Sequence, residues 1–226
     1  RLIKVYLNGR LTSEMSYDNA GNIVQKDVYG KRVLYDAIYD DKKPYNVVEA
    51  KTDDAGLYSH VKQDIEYSVS DNVVRVASDD KKADIDYGCD QRRISMNVND
   101  GNELRSKIYV GNNEFVNADD KNVKLTYLMG PMGVYGACAI DEDGNKSVLY
   151  IHKDNIDSWN VITDEDGDVL QRLSFDAWGN MRDSYDWSHE STNENIMFDR
   201  GYTGHEHLDD FGLINMNGRM YDPVMS

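Results

Sequence analysis

The chain has 226 residues, of which 40% are hydrophobic, and it carries a formal net charge of −16. That length suits one large domain or two small ones, and that hydrophobic content supports a substantial core and argues against disorder. The acidic balance argues against binding a nucleic-acid phosphate backbone, which needs a basic stripe, and the sequence holds no apolar run long enough to span a membrane.

β-Strand patterns follow one another along the chain, separated by turn residues. Strands are predicted at residues 1–10, 17–26 (a hairpin), 28–36, 47–51, 64–77 (two short strands), 85–87, 93–98, 104–110, 124–128, 133–141, 147–152, 158–163 and 169–175. Alternation of Ile94, Met96 and Val98 with polar residues predicts one buried face. Residues 188–195 are polar and predict a loop, and a single helical turn is predicted near residues 205–209.

A phrase recurs in these turns: an aromatic residue, an aspartate and a glycine turn. It reads YDNAGN at residues 17–22 and FDAWGN at residues 175–180, and two further turns read DEDG at 141–144 and 164–167. A repeated strand–turn unit cannot bury its apolar face alone, so copies must stack. Hairpin reversals, several with positive φ, are predicted at Gly21, Gly101, Gly144, Gly167 and Gly179.

Longer strings carry a family resemblance. SFDAWGNMR at residues 174–182 and RGYTGHEHLDDFGLINMNGRMYDP at 200–223 resemble the RHS-repeat-associated core of RHS/YD-repeat proteins. YGCDQRR at 87–93, KIYVGNNEF at 107–115, YLMGPMGV at 127–134 and YIHKDNIDSWNVIT at 150–163 look like elements of the same family in its usual order.

This resemblance implies an all-β fold in which repeated antiparallel β-hairpins form a curved or spiralling sheet. In bacterial polymorphic toxins and insecticidal toxin complexes, such a shell encloses a toxic C-terminal domain, and in the teneurins a similar barrel supports adhesion. The implied organisation is a YD-repeat-like region at residues 1–106, continuous with an RHS-repeat-associated core segment at residues 107–226.

The resemblance stops short of the family's self-cleavage chemistry. Family members usually continue after YDP into the segments that hold two aspartates for autoproteolysis, whereas this sequence reads YDPVMS. The sequence also begins with Arg1 rather than Met. We therefore expect a fragment of a longer protein that lacks catalytic residues, is not an enzyme and needs no cofactor.

The pair His205 and His207 is the most tempting candidate for a metal site. Histidines two apart on a strand point to one side and could bind a metal, with Asp209 or Asp210 as a third ligand. The alternative is packing: Leu208, Phe211, Leu213, Ile214 and Met216 are too frequent for a ligand loop and should seat this string against the sheet. We favour packing and predict no metal site.

Other candidates also have plainer explanations. The Asp-rich turns at 141–144 and 164–168 could suggest calcium loops, but they lack the EF-hand spacing and read as hairpin turns. Trp159, Trp178 and Trp187 could form a carbohydrate platform or pack in a β-core. Cys89 and Cys138 could form a disulfide or remain buried free thiols.

The predicted function is structural. The chain would be part of an RHS/YD shell that encapsulates or presents a C-terminal effector, in a bacterial protein that is secreted or displayed at the cell surface. Its partners would be that effector and the remaining shell repeats, with no nucleic acid. The alternative is a cell-surface binding or adhesion module that recognises carbohydrate or a receptor through exposed aromatic rings.

Overall fold

The structure, a computed structural model, describes residues 1–42, 44, 47–53, 63–78, 80–118, 121–188, 198–217 and 219–225. Its strands are β1 (Lys4–Leu7), β2 (Arg10–Tyr17), β3 (Ile23–Val28), β4 (Lys31–Tyr39), β5 (Val47–Lys51), β6 (Asp64–Tyr67), β7 (Val73–Ser78), β8 (Lys81–Tyr87), β9 (Arg93–Asn99), β10 (Leu104–Val110), β11 (Asn113–Ala118), β12 (Lys121–Gly130), β13 (Gly133–Ile140), β14 (Lys146–Lys153), β15 (Trp159–Thr163), β16 (Val169–Arg172), β17 (Ser174–Phe175), β18 (Met181–Arg182), β19 (Glu206–Leu208), β20 (Leu213–Asn215) and β21 (Met220–Tyr221). The predicted all-β class of antiparallel hairpins is confirmed. In the described part of the chain, no helix has the length and apolar character needed to cross a membrane.

The chain divides into two compact units, and the first comprises residues 1–60 and 221–226. Its strands form an antiparallel sheet in the order β1-β2-β3-β4-β5. Lys26 on β3 is fully buried, and its Nζ donates a hydrogen bond to the carbonyl oxygen of Pro223 at 2.9 Å. The residues after β21 are therefore held in this unit by a buried ammonium group.

The second unit, residues 61–220, is built on an eleven-stranded antiparallel sheet. Its strands follow chain order from β6 at one edge to β16 at the other. Registered neighbours such as Val76, Ala83 and Val98 line one face of this sheet, and all three are buried. The predicted division at residue 106 concerns family segments and stays a prediction.

Eight of the described turns share one five-residue geometry. The first residue donates its N–H to the carbonyl of the fifth, and the fourth donates to the carbonyl of the first. These turns occupy residues 18–22, 68–72, 88–92, 141–145, 154–158, 164–168, 176–180 and 201–205. Where the first residue is aspartate, its Oδ1 also accepts the N–H of the fifth residue, at 2.8–3.0 Å. The recurring aspartate thus caps the turn, as Asp does in Asx motifs.

The turn glycines are confirmed as positive-φ residues. Gly21, Gly101, Gly144, Gly167 and Gly179 have φ of 99°, 93°, 83°, 87° and 95°. This region is strained for residues that carry a Cβ. At Gly179 a Cβ would also lie only 2.6 Å from Cδ1 of Tyr202, so packing excludes a side chain there as well.

Two predictions need correction, and a third concerns residues of which the structure describes only one. Met96 and Val98 are buried, but Ile94 is 48% exposed: the register of β8 and β9 passes from Asp86–Ser95 to Tyr87–Arg93, so Ile94 is the extra residue of a β-bulge and leaves the alternation. The single turn predicted near residues 205–209 is instead two 3-10 turns, Tyr202–Gly204 and Asp209–Phe211, on either side of β19. The loop predicted at 188–195 lies outside the described residues except for Ser188.

Candidate functional site

The most unusual part of the second unit is the stretch at residues 198–217, called here the C-terminal segment. Its strands β19 and β20 pair antiparallel, and the segment packs on the buried face of the eleven-stranded sheet. Leu208, Phe211 and Leu213 join a core whose sheet members are Val73, Val76, Ala83, Ile85, Met96 and Val98. The predicted seating of this string against the sheet is therefore confirmed for these side chains.

Glu206 anchors the middle of the C-terminal segment. Its side chain is fully buried and accepts hydrogen bonds from Nζ of Lys107 at 2.8 Å and from the hydroxyl of Tyr109 at 2.9 Å. The guanidinium of Arg93 donates to its other carboxylate oxygen. Arg93 also lies over the ring of Tyr109, 4.8 Å from its centroid. One carboxylate is thus surrounded by donors from β9 and β10.

A second ion pair involves the next strand, and here the sheet supplies the anion and the C-terminal segment supplies the cation. Glu114 on β11 is buried, and its Oε1 is 2.5 Å from NH2 of Arg200 in the C-terminal segment. The hydroxyl of Tyr127 donates to Oε2 of Glu114 at 3.1 Å. Asp199, beside Arg200, accepts a hydrogen bond from Lys107.

These six residues form what we call the charge cluster: Arg93, Lys107, Glu114, Asp199, Arg200 and Glu206. Three are cations and three are anions, so their formal charges cancel. Buried charges persist only when they are paired and hydrogen-bonded, and this cluster meets both conditions.

The protonation states follow from these surroundings. Burial alone would raise the pKa of Glu206, but the nearby cations, Lys107 first, hold that pKa well below its usual range. Burial raises the pKa of Asp199 to about 6, against the opposing pull of Lys107. Glu206 is therefore an anion at any ordinary pH, whereas Asp199 takes up a proton in mild acid.

The cluster leaves little chemistry open to a substrate. Both oxygens of Glu206 are occupied by donors, and none of its side chain reaches solvent. A cavity of about 370 Å³ beside the cluster is lined by Tyr109, Tyr127 and Trp159, but its Glu114 and Arg200 are already paired with each other. The geometry is that of an anchor between the segment and the sheet.

The two histidines that flank Glu206 are engaged in local hydrogen bonds. Nε2 of His207 accepts the N–H of Tyr202 at 3.0 Å, and Nδ1 of His205 lies 2.8 Å from Oγ1 of Thr203. Burial, with a smaller effect of His205, lowers the pKa of His207 to about 4. Among the residues the structure describes, no group of three or more His, Cys, Asp or Glu side chains could hold a metal ion.

The remaining candidates are spread over the chain. The turn aspartates Asp141 and Asp164 direct Oδ1 at backbone N–H groups of their own turns. Trp159 and Trp178 are buried, while Trp187 is 40% exposed and has Arg182 over its ring at 4.5 Å. The three tryptophans therefore do not form a common exposed platform. Cys89 and Cys138 are free thiols, so the possible disulfide is not formed, but the expected burial is wrong: Cys89 is exposed and Cys138 is half-buried.

Sequence reasoning considered the histidines on either side of Glu206 and overlooked Glu206 itself. Its partners lie 113, 99 and 97 residues away in the chain, at Arg93, Lys107 and Tyr109. A signal was present, since three of the strings that carry the family resemblance, at 87–93, 107–115 and 200–223, supply these residues.

Comparisons with known proteins bear on the fold alone. No protein-family model and no curated protein matches this sequence. Among solved structures, TcdB2-TccC3 matches with a TM-score of 0.70 at 15% identity, and its complex TcdB2-TccC3-Cdc42 with 0.68 at 15%. The Tc holotoxin pore of Photorhabdus luminescens matches with a TM-score of 0.66 at 14% identity. Each match covers 96% of this chain, which spans only 12% of the matched chain, and the fold of this chain is thus distantly like an RHS shell of the toxin-complex type.

Proposed function

We propose that this chain is a structural part of an RHS/YD-repeat shell that encapsulates or presents a C-terminal effector domain, and that it performs no catalysis itself. The fold likeness to toxin-complex chains, which extends over 96% of the chain, is the observation that carries this proposal. The parent protein would be a bacterial protein that is secreted or displayed at the cell surface. The partners would be the effector and the other repeats of the shell.

The second unit has the construction that a shell wall needs. Its eleven strands pair antiparallel in chain order, and buried apolar residues on β7–β9 and on β12–β15 lie on one face of the sheet, on either side of the charge cluster. The C-terminal segment lies on that face and shields it from solvent, with Glu206 as its buried anchor. Because the C-terminal segment covers the apolar face of the sheet, the second unit can remain folded while the shell surrounds another domain.

The non-catalytic part of the proposal rests on how the ionisable groups are used. In the charge cluster each carboxylate faces at least one cation, and Glu206 has no solvent-exposed surface. A general acid or base must come within hydrogen-bond reach of its substrate. The fully buried Glu206 is poorly placed for that role.

The alternative, a binding or adhesion module, has a more limited basis. Ile108 and Phe115 are cross-strand partners on the face of the sheet opposite the C-terminal segment, and they are 53% and 43% exposed. Exposed apolar groups of this kind can mark contact surfaces. Burial of Trp159 and Trp178 argues against the tryptophan platform that a carbohydrate ligand would need.

Limited proteolysis of the natural full-length chain tests the shell proposal. The region that follows residue 226 should survive protease concentrations that digest the same region expressed alone. Equal digestion in both settings would contradict encapsulation. The alternative predicts instead that the 226-residue chain binds carbohydrate or a cell surface, and that this binding weakens in a Phe115→Ser variant.

A further inference from the structure

The apolar contacts made by residues 208–213 of the C-terminal segment do not by themselves define one position on the sheet. Leu208, Phe211 and Leu213 contact aliphatic side chains on β7, β8 and β9, and aliphatic residues such as Leu149 and Ile162 recur on the buried faces of β14 and β15. Hydrophobic contact is non-directional and tolerates exchanges among residues of similar volume. A shift by one hairpin, about 10 Å for two strand spacings, would replace one set of aliphatic contacts with a similar one.

The charges, in contrast, occur in one order across the sheet. Arg93 and Lys107 on β9 and β10 are followed by Glu114 on β11, that is, two cations and then an anion. The C-terminal segment presents the complementary order, with Glu206 and Asp199 facing the cations and Arg200 facing the anion.

A shifted segment would lose this match in either direction. Two strands towards β7, the position of Lys107 is taken by Ile85, which follows it across the sheet through Met96 and offers no side-chain donor. Two strands towards β12, it would approach Glu114 and Leu125, which are register partners on neighbouring strands. An unpaired or like-charged buried carboxylate reduces the population of such a state by about a hundred-fold or more.

We propose that the charge cluster is a registry lock: its buried charges select the one position along the repeated sheet at which the C-terminal segment seats. The charges contribute little net free energy to the seating, because buried ion clusters can often be replaced by apolar residues of similar size without loss of stability. Tyr109 belongs to the lock, since its hydroxyl donates to Glu206 from the same strand as Lys107. This proposal concerns how the segment is positioned within this chain, so a negative result would not bear on the proposed shell function.

The test removes the charges and keeps the volume. Arg93→Met, Lys107→Met, Tyr109→Phe, Glu114→Met, Asp199→Asn, Arg200→Met and Glu206→Met are combined in the 226-residue chain, so that all six charges of the cluster are removed. Spin labels are placed on cysteines introduced at two exposed positions, Asn97 on β9 and Arg219, after the natural thiols Cys89 and Cys138 are changed to serine. Double electron–electron resonance then measures the distance between the label on β9 and the label at residue 219, just after the C-terminal segment.

The chain with its natural charge cluster should give one narrow distance. The apolar variant should have an equal or higher melting temperature, yet show a second distance population, because its segment can move along the sheet by one hairpin, about 10 Å. As a matched control, Glu66→Met, Arg75→Met and Asp84→Asn remove an exposed ion network from the opposite face of the same sheet and should keep the single distance. A single, unshifted distance in the apolar variant would overturn the proposal, and so would its failure to fold.

A charge exchange provides a second readout. Arg200→Glu alone places a second carboxylate opposite that of Glu114 and should split the distance distribution. The double variant Glu114→Arg with Arg200→Glu restores opposite charges at the same spacing and should restore the single distance. An unchanged distance in Arg200→Glu would show that the position of the segment does not depend on this pair.

Discussion

Replacement of Glu206 by glutamine is the sharpest single test of the anchor. The substitution keeps the shape of the side chain and removes its charge, which leaves Arg93 and Lys107 buried without their shared counter-ion. Removing one partner of a buried ion pair typically costs about 3–5 kcal/mol. Since whole domains are stable by only about 5–15 kcal/mol, we expect Glu206→Gln to lose a large part of the stability of the second unit.

Tryptophan fluorescence provides the assay, because Trp159, Trp178 and Trp187 all lie in the second unit. Urea unfolding followed at these residues gives the free energy of unfolding of that unit. Glu66→Gln is the matched control, since it makes the same chemical change in an exposed pair with Arg75, 3.2 Å apart. The control should cost no more than about 1 kcal/mol.

Equal stability of the two glutamine variants would refute the anchoring role of Glu206. A loss below about 1 kcal/mol for Glu206→Gln would mean that the carboxylate contributes no more than an exposed one. Such a result would remove the basis for treating the C-terminal segment as anchored.

Three further perturbations and one addition test other parts of the account. Gly179→Val should cost roughly 1–3 kcal/mol in urea unfolding, because a β-branched residue is strained at positive φ; unchanged stability would contradict the turn geometry. The pKa of His207 is about 4 in the folded chain, below its unfolded value of about 6.5. As the pH falls from 6.5 to 4, the unfolded chain takes up this proton before the folded chain does, so the free energy of unfolding should fall by about 3 kcal/mol. His207→Gln should abolish this loss, whereas the control variant His152→Gln should keep it. Asp199 titrates in the opposite sense in the natural chain and in both variants, so the measured quantity is the difference in pH dependence between these chains. Truncation after Phe198 should expose the sheet face and produce aggregates in light scattering, and a monomeric product with an unaltered melting temperature would show a dispensable tail. A chelator should leave the melting temperature unchanged, whereas a fall would reveal a structural metal.

The turns were the part of the fold that the sequence could predict. Local chemistry decides them: Asp18 and Asp176 cap their own turns, and Gly21 and Gly179 supply the positive φ that follows. Strand β11 (Asn113–Ala118) was missed because its residues, NEFVNA, show no clean alternation. The pairing of that strand with β10 and β12, rather than its own propensity, determines its conformation.

The charge cluster could not be derived from local patterns. Arg93 meets Glu206, and Glu114 meets Arg200, only because residues 113 and 86 apart in the chain are brought together by the folding back of the C-terminal segment. A charged residue in sequence is ordinarily taken as exposed, since buried charges are rare. Only the family resemblance marked these strings as special, and it did not identify which side chains within them make contact.

Hydrogen exchange tests the central claim most directly, because it requires no substitution. If the C-terminal segment is an integral, anchored part of the second unit, the amides of β19 and β20 should exchange only through global unfolding of that unit. The N–H of His207, which donates to the carbonyl oxygen of Asp199 at 2.6 Å, should then be as protected as the amides of β8 and β9. Exchange of β19 and β20 at a free energy well below that of β8 and β9 would show a separately opening flap and contradict the account.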